Sequence, residues 1–154
     1  MATVIPRQDE RAGAEIAYGH EECYRRSVEL LKDLGFPSGV LPLQELEECG
    51  IVRETGFIWM KQKKPYEHFF EKTNSRVAYA TEVTAYVEKL KMKKMTGVKS
   101  RQLLLWVPIG EMSIEDPSKK KICFKTNMGI GKSFPITAFM VDEEKKMYLE
   151  KLEE

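Results

Sequence analysis

The sequence predicts an α+β fold: an antiparallel β-barrel or sandwich of about seven to eight strands, preceded by an amphipathic helix and followed by a short one. Two observations carry this reading. Apolar residues recur at helical spacing early in the chain, and beyond residue 43 the pattern shortens to period two with β-rich composition and Pro, Gly, Asn and Asp as punctuation. The 154 residues, 42% of them hydrophobic, suffice for one core and one domain. Its expected layout is an unordered lead over residues 1–12, a helix over 14–35, a β domain over 43–141 and a C-terminal helix over 142–154.

In the first helix Ile16, His20, Cys23, Tyr24, Val28, Leu31 and Leu34 share a face, while Glu21, Glu22, Arg25, Arg26, Glu29 and Lys32 lie mostly between them. Gly35 stands at the position of a left-handed cap, and Pro37 follows where a helix cannot continue. Residues 36–42 hold too much Pro and Gly for regular structure and read as an ordered crossing whose apolar members pack inward.

The strand candidates that follow are 46–53, 57–61, 66–71, 76–89, 90–95, 102–113, 121–126 and 133–141, with turn signals at 54–56, 63–65, 73–75, 95–97 and 116–118. In the longest, Val77, Tyr79, Thr81, Val83, Ala85 and Val87 alternate onto one face, which should be the core face. Residues 103–109 are apolar at both parities, which predicts a strand at the centre of the fold, either buried on both faces or lying where a helix or second sheet covers it. In the tail, Asp142 is the expected N-cap, Glu143 and Glu144 favour the first turn, and Tyr148 and Leu152 are spaced to touch.

Composition narrows the function classes. Twenty-five Lys and Arg against 24 Asp and Glu leave a net charge of +1, so no global field attracts nucleic acid. Cys23, Cys49 and Cys123 are widely spaced and odd in number, and no signal-peptide pattern or apolar run of bilayer length occurs. These features predict a soluble protein in a reducing, intracellular and cytoplasmic setting.

Complete catalytic or metal constellations are missing. Residues 126–133 resemble a phosphate-binding loop through Gly131-Lys132-Ser133, but Thr126 replaces the first glycine and Phe134-Pro135 follows where a helix should begin, so a glycine-rich β connection is expected. His20-Glu21-Glu22-Cys23-Tyr24 opens like a zincin helix, yet Tyr24 takes the place of the second histidine, and no metal or other cofactor is called for. Only His20 and His68 could activate a nucleophile such as Ser133, and there is no G-x-S-x-G elbow, so no catalytic residue is assigned. Eight Met and 13 Phe or Tyr side chains could line an adaptable apolar pocket, for which Phe57, Trp59, Phe69, Trp106 and Phe134 are the candidate contacts. Lys89, Lys91 and Lys93, with Lys119 and Lys120, form a candidate basic patch for acidic headgroups or an acidic partner.

The motifs Leu105-Trp106-Val107-Pro108-Ile109, Glu115-Asp116-Pro117-Ser118, Lys121-Ile122-Cys123-Phe124 and Lys132-Ser133-Phe134-Pro135 occur in an order that resembles the plant domain-of-unknown-function family 538. Upstream, Gly35-Phe36-Pro37-Ser38-Gly39-Val40-Leu41-Pro42 and Thr96-Gly97-Val98-Lys99 resemble it too, so the likeness covers residues 28–140. Many members carry an N-terminal signal or membrane segment, whereas this chain opens on a polar stretch and resembles a leaderless branch. The resemblance implies a mainly antiparallel β fold with a remote likeness to lipid-binding proteins of the bactericidal permeability-increasing type. It also implies links to chlorophyll binding or hydrolysis and to stress and growth responses, without supplying a catalytic residue set.

Together these readings predict a non-enzymatic binding module for an apolar or amphipathic ligand, lipid or pigment, or for an acidic membrane surface. The alternatives are an esterase acting on a pigment or lipid ester, and a scaffold for a protein partner that would present an exposed apolar patch.

Overall fold

A computed structural model describes residues 10–115 and 120–153. The chain runs β1 (Glu15–Tyr18), α1 (His20–Leu34), β2 (Leu46–Val52), β3 (Phe57–Gln62), β4 (Tyr66–Phe70), β5 (Ser75–Glu88), β6 (Lys91–Gln102), β7 (Leu105–Ile114), β8 (Lys121–Thr126), β9 (Gly131–Pro135) and α2 (Asp142–Leu152). The strands form one antiparallel sheet in the order β1-β2-β3-β5-β6-β7-β8-β9, with β4 also on β5. The α+β class with flanking helices is as expected, with nine strands and a sheet that is not closed.

The first helix is shorter than its periodicity suggested. Residues 15–18 pair with β2 instead, from Glu15↔Ile51 to Tyr18↔Glu48, and Gly19 at φ +88° separates strand from helix. The expected C-terminus holds: Gly35 adopts φ +90°, its N–H donates to the Lys32 carbonyl at 3.1 Å, and the Phe36 N–H reaches Leu31 at 2.8 Å.

β3 and β4 are two halves of one interrupted strand along β5. Phe57 to Lys61 face Tyr86 to Glu82, and Tyr66 to Phe70 face Tyr79 to Ser75. Buried Gln62 closes the interruption: its side-chain N–H groups donate to the carbonyls of Tyr79 (3.1 Å) and Ala80 (2.9 Å), and its carbonyl accepts the Gln44 N–H (3.0 Å). Opposite the break the β5–β6 register shifts, so Thr81 is exposed although Tyr79, Val83 and Ala85 face the core as expected. Gly97 is no turn; it lies inside β6 at φ +85°, where a Cβ would come within 2.3 Å of the Glu82 carbonyl oxygen. Such a bulge bends both strands and lets the sheet curl.

One face of the sheet carries the main core. Leu31 and Leu34 of α1, Phe36, Val40 and Leu43 of the crossing, and Ile136 and Phe139 of a single 3₁₀ turn pack on Tyr79, Val83, Met92, Val98, Met112 and Ile122. On the other face Val52, Phe57 and Trp59 form a small separate cluster with Ala14 and Tyr86. The strand buried on both faces is therefore β3.

Residues 103–109 do not form the buried centre that their composition suggested. Leu103 and Leu104 make the turn between β6 and β7, closed by Gln102↔Leu105, and Leu103 (96%), Leu104 (84%) and Leu105 (70%) are exposed. Apolar residues at both parities arise here from exposure at a hairpin tip, which sequence periodicity cannot separate from burial. The 116–118 turn signal lies outside the described residues, and among those described no helix is long and apolar enough to cross a membrane.

Candidate functional site

Register places the β4–β5, β6–β7 and β8–β9 connections at one end of the sheet, since Val77 pairs with Ser100 and Ile109 with Thr126. Beneath this end lies a cavity of about 360 Å³. Alternation supplies its walls: Tyr79 of β5, Val98 of β6, Ile109 and Met112 of β7 and Phe124 of β8 project inward, and all but half-buried Phe124 are buried.

The crossing and the 3₁₀ turn roof the cavity. The Tyr79 hydroxyl donates to the Val40 carbonyl at 3.3 Å, and the Gly39 N–H donates to the Phe139 carbonyl at 2.9 Å. Burial pushes the Tyr79 phenol up from its ordinary value, so it stays a neutral donor. Phe139 is the aromatic centre, with ring centroids 5.0 Å from Phe70, 5.2 Å from Phe124 and 6.2 Å from Phe134.

Polarity rises toward the mouth. Asn74, Ser75, Ser100, Gln102 and Thr126 line it, and the exposed side chains of Arg101 and Lys132 supply two cations with no carboxylate among the lining residues. Arg101 is held by its own hairpin, its guanidinium 5.4 Å from the Trp106 ring centre and its Nε–H donating to the Leu103 carbonyl at 3.4 Å. Lys132 is the second residue of β9, after a turn built by Thr126, whose hydroxyl accepts the N–H groups of Met128 (3.2 Å) and Ile130 (3.3 Å), with Gly129 at φ +84°. The phosphate-loop look-alike is thus a β-hairpin with no helix behind it.

The five aromatic candidates do not converge. Phe134 lines this cavity. Phe57 and Trp59 belong to the small cluster, where Arg11 lies 4.4 Å over the indole and the indole N–H donates to Glu48 at 2.7 Å. Phe69 is exposed beneath Arg76, and Trp106 is half-buried beside Arg101. A second cavity of about 240 Å³, between α1 and β2–β3, includes Trp59 among Arg26, Asp33, Cys49 and Arg53.

Of the basic patch, Lys89 and Lys91 at the β5–β6 turn and Lys120 before β8 fall at the opposite end of the sheet. There Lys93 lies 2.8 Å from Glu88 and Lys91 3.9 Å from Glu111, and Lys119 lies outside the described residues.

The groups that hydrolysis would need are engaged elsewhere. The Ser133 hydroxyl donates to Glu115, while the His68 Nδ1 lies 2.9 Å from the Tyr66 hydroxyl. His20 Nδ1 accepts the Leu46 N–H at 3.1 Å and so buttresses β2. Cys23 is buried with its thiol pushed up to about 12 by burial and by neighbouring Cys49, which removes its thiolate at neutral pH.

A family described as "Protein of unknown function, DUF538" matches residues 27–140. The chain belongs to this family. No curated protein and no solved structure matches it significantly. Every residue lining the larger cavity of this DUF538 domain lies inside the matched segment, which begins within α1 and stops before α2. Sequence reading missed Arg101, Lys132, Tyr79, Met112 and Phe139 as a set. Alternation in β5 to β8 marks the inward residues, but the pairing that joins four strands around one space is non-local.

Proposed function

We propose that this DUF538 domain binds one small amphipathic anion, with the apolar part among Val98, Met112 and Phe139 and the anionic head at Arg101 and Lys132. The observation that supports this reading is the grading of the cavity: an apolar floor, a polar collar and two exposed cations without a carboxylate. Its volume of about 360 Å³ suits a single small ligand rather than a large one, at the lower end of the roughly 300–1,000 Å³ common for ligand sites. Fatty acids and related acyl anions have this chemistry. Chain burial supplies affinity, and the guanidinium and ammonium discriminate a carboxylate from an alcohol.

The test is titration with the fluorescent fatty acid cis-parinaric acid, displaced in competition by a fatty acid and by the alcohol of equal chain length. Saturation at one site is expected, with the acid preferred about tenfold, the equivalent of one charge-assisted hydrogen bond of about 1.4 kcal/mol. Arg101→Gln with Lys132→Gln should erase that preference, and Val77→Trp at the half-buried edge of the cavity should weaken acid and alcohol alike. Equal affinity for both competitors in the wild type, or no saturable site, would sink the proposal.

A further inference from the structure

The cavity mouth is ringed by apolar side chains that the fold leaves uncovered. Leu103, Leu104 and Leu105 at the β6–β7 tip, and Met128 (84%) and Ile130 (67%) at the β8–β9 tip, are exposed. Single exposed leucines need no explanation, but five large apolar side chains on two adjoining tips do. The tips adjoin because Ile109 pairs with Thr126 and the Asn127 N–H donates to the Pro108 carbonyl at 3.3 Å.

Backbone conformation adds a second observation. Leu103 adopts φ +57° in a two-residue turn where Gly, Asn or Asp is favoured. A leucine there is strained and exposed at once, and neither property serves folding.

Charge indicates what the tips meet. Residues 95–110 and 122–135, which contain both tips, hold Lys99, Arg101, Lys125 and Lys132 and no Asp or Glu in a chain of net charge +1. On the strands leading to the tips, Lys99, Arg101 and Lys132 are exposed. The carboxylates toward this end already face cations: Glu67 on β4 lies 3.9 Å from Arg76, Glu71 is beside Lys72, and Glu111 on β7 lies 3.9 Å from Lys125. Apolar tips backed by cations, with a tryptophan one residue inside, match the layering of acyl chains beneath anionic headgroups.

We infer that this end of the sheet docks on a bilayer surface containing anionic lipid, with both hairpin tips among the acyl chains and the cavity mouth at the headgroup level. The inference rests on the proposed ligand site only for what passes through that mouth: an amphipathic anion would enter or leave without crossing water.

Co-sedimentation of the full chain with phosphatidylcholine vesicles, with and without phosphatidylserine, tests it. Expected are binding to the serine-lipid vesicles that weakens with salt, little binding to phosphatidylcholine alone, and quenching of Trp106 by brominated acyl chains in a Trp59→Phe background. The combined variant Leu103→Asn, Leu104→Gly and Met128→Ser suits the turn geometry and touches no cavity-lining residue, so it should fold at least as well. It should lose at least about tenfold in vesicle partitioning and keep its affinity for cis-parinaric acid in vesicle-free solution. Wild type and variant partitioning alike would overturn the docking, as would wild-type self-association or protein binding that the variant abolishes without any vesicle binding. Vesicle binding of the expected kind without cis-parinaric acid binding would uphold the docking and fail the cavity reading alone.

Discussion

Gln62 shows how one polar side chain can carry a discontinuity in the sheet. It makes three hydrogen bonds to backbone groups: the carbonyls of Tyr79 and Ala80 on β5 beside the β3–β4 break, and the Gln44 N–H ahead of β2. Gln62→Leu keeps the volume but strands those groups, and should cost about 3 kcal/mol in urea unfolding with the m-value unchanged. His68 is the residue whose charge state bears on stability near neutral pH. Burial between Tyr66 and Phe70 holds its imidazole below its ordinary 6.5. The unfolded chain then binds the proton more readily than the folded one, so stability is complete above about pH 6.5 and falls as pH drops toward the lowered folded value. His68→Gln should flatten that part of the stability profile measured by denaturant melts across pH. Neither role was legible in sequence: Gln62 lay just past a strand candidate, and His68 was one of only two histidines to weigh as a base.

At the scale of the element, β6 and the β8–β9 hairpin separate two reasons for a glycine. Gly97 and Gly129 have nearly the same backbone, φ +85° and +84°, but a Cβ on Gly97 would meet the Glu82 carbonyl oxygen at 2.3 Å, whereas Gly129 has open space. Gly129→Ala should therefore cost about 1 kcal/mol, the conformational term alone, and Gly97→Ala clearly more, because the backbone of β5 must move. Thermal unfolding of the two variants compares them directly, and equal losses would mean that the bulge is not tightly packed. The same pair shows where sequence reading erred. Met95-Thr96-Gly97 carries a turn signal, yet the strand runs through it, because a glycine at a bulge and a glycine at a turn satisfy the same local requirement. Leu103 to Ile109 misled in the complementary way, since periodicity reports apolarity and not what covers it.

For the whole molecule, α2 is an appendage to the folded unit. None of its residues is fully buried; its attachment is Glu144, which accepts the Ser38 N–H (3.1 Å) and hydroxyl (2.8 Å), together with partial packing of Tyr148 on the core. A chain ending at Val141 should keep one cooperative unfolding transition and lose about 2 kcal/mol, a shift of a few degrees in Tm; loss of cooperative folding would show that α2 belongs to the core. The amino-acid sequence by itself determined the α+β class, the C-terminus of the first helix at Gly35, the alternating core face of β5 around Tyr79, Val83 and Ala85, and the family, because each is written in local spacing or contiguous motifs. Only the tertiary structure decided that the sheet stays open, that β3 rather than residues 103–109 is buried on both faces, and that Arg101 and Lys132 share one cavity mouth with Tyr79 and Phe139 beneath. Those outcomes depend on which strands pair and in what register, and pairing is settled by the combined burial of residues far apart in the chain.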